Sequence, residues 1–416
     1  MNPSAEDKAC AGGEDPRGTY IVRGSGAFRK AAVSMVAAGF STFALMNCVQ
    51  PLMPIFSRDF GISASEASLS LSFTIGALAV LMPVTGALSE IVGRKPVMLS
   101  SLVLSALLMI ASAFARGWYP FLLYRALQGA AFSGLPAVAM AYMGEEVDPR
   151  QTGYAVGLYI GGAAIGGMSG RVIAGVIADI GGWRAAMLAI GLIGLVTALL
   201  FAWLLPASRR FTRQPIQFGA LFDHYGTHLG DRVQRRLYAL GFLLMGCLVV
   251  VYNFLGYRLL APPFSFSQSQ VASLFAVYIV GVASSVGAGT LADRFGRPRL
   301  LRGSIAVAFF GASLMIVDSV VTIIGGLVVF TVGYFAAHSV VSGWVGRQAR
   351  VAKAQAASLY LLCYYVGGAA LGWFGGVLWG VSGWSGVSAI VLLLLAASFV
   401  IAASLHPGFM PQSNAR

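Results

Sequence analysis

The chain has 416 residues, 57% of them hydrophobic and only 10% charged, with 28 Lys and Arg against 15 Asp and Glu. A soluble domain carries about 25% charged residues, so the composition excludes a water-soluble globular fold. The apolar runs are continuous over about 20 residues rather than alternating over ten, which selects membrane-spanning helices over a β-barrel.

Residues 1–30 are polar and of mixed charge, with no short apolar region ending at a small-residue cleavage site, and read as a cytoplasmic tail rather than a signal peptide. Residues 31–205 hold six spans, at about 31–55, 66–88, 97–115, 119–143, 154–180 and 185–205. A polar connection follows at 206–236, with six arginines beside Asp223 and Asp231; it is expected to link two halves at the cytoplasmic surface, in solvent or against anionic lipid headgroups. Residues 237–406 hold six more spans, at about 237–260, 270–292, 300–317, 321–344, 354–381 and 388–405, and 407–416 form a second cytoplasmic tail.

The net charge of +13 needs no nucleic-acid partner once it is placed. With the chain starting inside, most basic residues fall on inner connections, Arg58, Arg116 and Arg184 on outer ones, and Arg125, Arg171 and Arg258 in or near spans. That positive-inside bias sets both termini in the cytoplasm. Cys10, Cys48, Cys247 and Cys363 are scattered and give no disulfide framework.

Two internal repeats support two related halves. Gly86-Ala-Leu-Ser-Glu90-Ile-Val-Gly93-Arg94-Lys95 aligns without a gap on Gly289-Thr-Leu-Ala-Asp293-Arg-Phe-Gly296-Arg297, each a short charged break between apolar runs. Tyr159-Ile-Gly-Gly-Ala-Ala-Ile-Gly166 likewise echoes Tyr365-Val-Gly-Gly-Ala-Ala-Leu-Gly372.

The charged break resembles the signature loop of the major facilitator superfamily of secondary transporters, over nearly the whole chain. Tyr159–Gly162 through Gly170-Arg171, with Phe335–Ser339, resembles its YnfM-type branch, described as efflux permeases. The resemblance implies an all-α membrane fold of twelve helices in two pseudo-symmetric six-helix halves. It also implies a central site reached by alternating access, proton-coupled efflux, and no bound cofactor, the proton gradient supplying energy. A bacterial inner-membrane location and a monomer working with a small-molecule substrate, protons and lipid are expected. By the same likeness Gly86, Glu90, Gly93, Arg94 and Lys95 form an inner gate that latches on the eleventh helix, with Asp293 and Arg297 as counterparts. Arg125 with Gln128 and Gly129 resembles the family's R-x-x-Q-G pattern. The antiporter branches' Gly-Pro is replaced here by Gly170-Arg171.

An arginine at the bilayer centre costs about 2.5–3.5 kcal/mol on insertion scales, so Arg125 and Arg171 are expected to line a water-filled cavity. No acid falls in the middle third of any predicted span. The cavity therefore reads as positive or neutral and favours anionic, zwitterionic or uncharged polar solutes over lipophilic cations. Asn47, Gln50, Gln128, Tyr252, Asn253, Tyr257, Tyr360 and Tyr364 are its remaining candidate ligands, although single tyrosines also serve as interface anchors. His338, alone among the histidines within a span, is a candidate proton carrier or a helix–helix hydrogen bond; Glu145 and Glu146 are alternatives. Small residues four apart, Gly166 and Gly170 among them, permit close helix packing and a sliding face between halves. One histidine and no mid-span acid argue against an enzyme, no metal site is expected, and no Walker loop is present. An importer or facilitator of an organic anion or sugar-like solute is the alternative to efflux.

Overall fold

Prolines and positive-φ glycines decide where the apolar runs stop and turn. A computed structural model describes residues 20–213, 225–349 and 353–405, with only the backbone at Asp293 and Ala354. The first half comprises α1 (Gly26–Asn47), α2 (Met53–Phe60), α3 (Ala64–Val92), α4 (Arg94–Ala113), α5 (Trp118–Phe132), α6 (Pro136–Glu146) and α7 (Thr152–Leu204). The second comprises α8 (Arg232–Leu260), α9 (Gln268–Ser273), a 3-10 turn (Leu274–Val277), α10 (Tyr278–Phe295), α11 (Arg297–Leu314), α12 (Val320–Gln348) and α13 (Lys353–Ala403).

These elements make twelve crossings. The 53-residue α7 doubles back at Gly182 (φ 75°) and the 51-residue α13 at Gly383 (φ 59°), a left-handed backbone that residues with a Cβ avoid. Each turn glycine is followed by a tryptophan that fixes its own half. Trp183 packs edge-on against Phe56 and Phe121, and Trp384 Nε1 donates to Met315 O over 2.9 Å. We call the side where the described chain begins and ends the terminal side, and the opposite one, with both Gly-Trp turns, the far side.

Two spans expected to be continuous are broken. The first separates into α1 and α2 across 48–52, where Pro51 has no N–H to donate and Pro54 opens the new helix. The fourth separates into α5 and α6 before Pro136. Hydropathy runs through both breaks, so only the prolines betray them. Cys48, Cys247 and Cys363 carry free thiols.

Packing of α1 on α7 rests on glycines at backbone contact. A Cβ on Gly162 would lie 2.4 Å from Val36 O, one on Gly166 2.1 Å from Phe40 O, and one on Gly170 2.6 Å from Ala44 Cα. Gly166 and Gly170 thus seat α7 on its own half rather than on a sliding face between halves. In the second half Gly367 meets the Phe242 backbone in the same way and Gly368 and Gly372 lie on Met245 and Val249 of α8, with Ile75 and Ser72 of α3 next nearest, while Gly376 meets Ser65 of α3 across the interface.

Gly166→Ala is therefore expected to destabilise the purified protein by about 1–3 kcal/mol. Gly157→Ala, where an added Cβ meets nothing within 4 Å, should be silent in the same thermal-denaturation assay.

Candidate functional site between the halves

Breaking a helix inside hydrocarbon strands its last carbonyls, which no water reaches. Arg125 answers that need from α5. Its Nη1 donates to Leu45 O (3.2 Å), Nη2 to Met46 O (2.8 Å) and Nε to Ser70 O (2.9 Å). Nη1 also reaches Gln128 Oε1, and Gln128 Nε2 donates onward to Ser105 O. With 0% exposure, Arg125 is walled inside the first half. Arg125 and Gln128 therefore do not line a central opening: the charge is held by the negative end of α1, a favourable place for a cation.

Arg171 stands differently. From α7 its Nε donates to Gln50 Oε1 (2.6 Å), Nη1 to Gly167 O (2.5 Å), and Nη2 to Asn47 Oδ1 (3.0 Å) and Tyr278 Oη (3.4 Å). Phe275 and Tyr278 lie 5.0 and 4.7 Å from its guanidinium carbon. Gln50 Nε2 then donates to Asn253 Oδ1 (2.7 Å) across the interface. Tyr252 stacks on Phe275 (5.3 Å) and shares a hydrogen bond with Thr331 (2.8 Å). Five of the expected residues, Asn47, Gln50, Arg171, Tyr252 and Asn253, thus gather in one layer. Arg171 is 4% exposed, and among the described residues no carboxylate lies within ion-pair distance of it.

Tyr257, Tyr360 and Tyr364 lie outside that layer. Tyr257 shares a hydrogen bond with Ser57 (2.7 Å) nearer the far side. Tyr360 Oη bonds His338 Nδ1 (2.9 Å), and Tyr364 bonds Tyr334 (2.9 Å), with the imidazole 4.7 Å from the Tyr364 ring. Phe335 joins this cluster to the Arg171 layer, 5.3 Å from Tyr334 and 5.4 Å from Tyr278.

Far-side contacts hold the two halves together. The Asp179 carboxylate accepts from the backbone N–H of Gln268 (3.1 Å) and of Ser269 (2.7 Å) at the start of α9, and from the Ser269 hydroxyl. Gln268 Nε2 donates to Pro51 O. A Cβ on Gly175 would lie 2.1 Å from Ala272 Cβ, and one on Gly376 2.4 Å from Ser65 Cα. A cavity of about 450 Å³ sits beside these contacts, lined by Pro54, Arg58, Asp179, Leu260 and Gln268 among others.

On the terminal side the charged break is tied within its own half. Arg94 Nη2 reaches Glu145 Oε1 at 2.7 Å, its Nε lies 3.2 Å from the same oxygen, and Nη1 donates to Ser89 Oγ. Glu90 stands 4.0 Å from Arg94. In this structure, with the far side closed, Arg94 thus pairs with the end of α6. Glu145 and Glu146 do not face each other over a shared proton either, since buried Glu146 accepts the backbone N–H of Arg210 (2.9 Å). Lys95 donates to Leu205 O, closing the end of α7. Gly86 borders open space; Gly93 (φ 111°) and Gly296 (φ 82°) turn the chain into α4 and α11, placing Arg94 and Arg297 at equivalent starts. The Asp293 side chain lies outside the described residues.

A family model for the Major Facilitator Superfamily matches residues 35–257. The chain belongs to the major facilitator superfamily. It is 44% identical over 377 residues to the uncharacterized transporter YybF of Bacillus subtilis, covering 91% of this chain and 93% of the relative. It is 42% identical over 387 residues to the inner membrane transport protein YnfM of Escherichia coli, covering 93% of each. This facilitator is therefore of the YnfM type. A bacterial homologue of the human lysosomal transporter Spinster, solved inward-facing and occupied, shares the fold with a TM-score of 0.78 at 14% identity, covering 94% of this chain and 99% of the other. A D-xylose–proton symporter does so with a TM-score of 0.70 at 18% identity, covering 93% and 98%.

Sequence reasoning about this facilitator missed Phe275, Tyr278, Thr331, Tyr334 and Asp179. Gln50 and Asn253 are 203 positions apart, the offset that relates Gly86 to Gly289, so they occupy equivalent places in the two halves.

Arg125→Ala would leave several buried carbonyls without a donor, at about 1–3 kcal/mol each. It should sharply lower the thermal midpoint of the purified facilitator, whereas Arg94→Ala, which frees an ion pair to the half-exposed Glu145 rather than buried backbone carbonyls, should lower it less. Asp179→Ala removes a helix-capping carboxylate worth about 1 kcal/mol. It should move the equilibrium toward far-side opening about fivefold, read as a longer distance between spin labels replacing Arg116 and Val321.

Proposed function

We propose that this facilitator is a secondary active transporter that exports a small organic solute across the bacterial inner membrane by alternating access, driven by protons. The layer of Arg171, Gln50 and Asn253 carries this reading. It lies between two six-helix halves and sets a charged group and several amides where a solute passing between them must be met. Both termini are assigned to the cytoplasm by the excess of Lys and Arg on the terminal side.

Transport follows from bistable contact between the halves. The far-side contacts of Asp179, Gly175 and Gly376 close one entrance. Their release, with closure at the terminal side, would present the same layer to the opposite face. Each contact is of a size that thermal motion can break.

His338 is the proposed proton carrier. It is the histidine within a span, and its Nδ1 shares a hydrogen bond with Tyr360 Oη (2.9 Å), which orients the ring so that Nε2 would take up and give back the proton. A second reading, an importer or facilitator of an organic anion or sugar-like solute, is favoured by the absence, among the described residues, of an ion-paired carboxylate at Arg171.

Purified protein in proteoliposomes, screened for solute flux with and without an imposed pH gradient, tests both. Gradient-dependent movement from the terminal side supports export, and movement with the same sign as proton entry supports import. Flux unaffected by any gradient overturns energy coupling. His338→Gln is expected to keep solute exchange and lose pH-driven accumulation by tenfold or more; full retention removes His338 from the proton path.

A further inference from the structure

Arg171, like Arg125, has no carboxylate to balance its charge among the described residues, but it alone of the two reaches the second half, through Tyr278. Its acceptors are two amide oxygens, one backbone carbonyl and one phenol, all neutral. Neutral acceptors satisfy N–H groups but leave the positive charge in place, and hydrocarbon on either side cannot screen it. The position calls for an anion that the described chain does not itself supply.

The hydrogen bonds around it have a fixed direction. A guanidinium only donates, so Gln50 must turn its oxygen to Arg171 and its amino group away. That amino group donates to Asn253 Oδ1, which turns the Asn253 Nδ2 away in turn. The chain of donors ends there: Asn253 is 0% exposed and its Nδ2 has no partner among the described residues. Native proteins rarely leave such a group orphaned without a reason.

Bare backbone borders both ends of this chain. A Cβ added to Gly372 would lie 2.7 Å from Val249 Cγ1 and 3.6 Å from Asn253 Nδ2, and one added to Gly167 3.3 Å from Arg171 Nη1. The walls are flat. Phe275 and Tyr278 flank the guanidinium, Tyr252 packs on both, and Phe335 extends the aromatic surface toward His338.

We propose that this layer binds an aromatic carboxylate: Arg171 balances its charge, Asn253 Nδ2 donates to one of its oxygens, and its ring lies on the Phe275–Tyr278–Phe335 surface. The assignment names the solute class for the transport reading and rests on that reading for the site being reachable from one membrane face.

Benzoate, benzamide and benzamidine share one shape and differ in charge, so they separate the chemistry from the fit. With the purified full chain in detergent, benzoate should raise the thermal midpoint in a saturable way, benzamide should do so weakly and benzamidine not at all. Arg171→Gln should weaken benzoate binding tenfold or more. Asn253→Ala should weaken it severalfold, and Arg171→Lys should retain part of it. Should Arg171→Gln fail to fold, Arg171→Lys with Asn253→Asp carries the same test, the new carboxylate repelling benzoate. Equal stabilisation by all three compounds, no effect of benzoate on wild type, or an effect unchanged in Asn253→Ala and Arg171→Lys overturns the assignment. If vesicles move another solute under a pH gradient while benzoate neither binds nor competes, the transport reading stands and the carboxylate assignment falls. If benzoate binds through Arg171 but no solute in the screen crosses, the site stands and the transport reading falls.

Discussion

The break in the first span is the constraint from which the rest of the first half follows. Helix α1 stops at Asn47 before the first span is complete, and Pro51 and Pro54 prevent its simple continuation. Backbone carbonyls exposed there have no water to turn to. Arg125 takes the carbonyls of Leu45 and Met46 from one side, and Arg171 takes the side chains of Asn47 and Gln50 from the other. Two arginines that look alike in the sequence therefore do different work: one repairs a helix end, and the other reaches through Gln50 and Tyr278 to the second half.

Close glycine contacts make this arrangement stiff enough to hold. Without hydrophobic driving force between helices in lipid, backbone proximity supplies the association, and α1 meets α7 at Gly162, Gly166 and Gly170. The groups between Asn47 and Arg171 are thus mounted on a rigid pair of helices. Contacts that cross between the halves are mixed: Gly175 on Ala272 and Gly376 on Ser65 come as close as those within a half, but the others are hydrogen-bonded. Asp179 on the start of α9, Ser57 with Tyr257 and Gln50 with Asn253 are single hydrogen-bonded links, easier to exchange than interlocked backbones.

Much of the architecture was legible. Hydropathy located twelve spans, and the Gly86–Lys95 and Gly289–Arg297 repeats located the halves. The absence of mid-span acids foretold a guanidinium with only neutral partners at Arg171. Depth in a membrane can be read from a run of apolar residues, but the direction in which a side chain points around its helix cannot. That is why Arg125 and Arg171 received one expectation and have two fates. It is also why Glu145 and Glu146, adjacent in sequence, face Arg94 and the Arg210 backbone separately. Gly166 and Gly170 were read correctly as packing residues but assigned the wrong neighbour, because spacing reports that a helix comes close without saying which one.

The two-fold relation between the halves is also broken where it matters. Gln50 and Asn253 are equivalents, yet the position that the Tyr159 and Tyr365 repeats set opposite Arg171 is Val377. Electrical polarity therefore runs across the molecule at this level, from a cationic flank to an apolar one. Cargo with a head and a tail would be handed through in a single orientation, and its mirror-placed counterpart would find hydrocarbon where it needs a counter-ion.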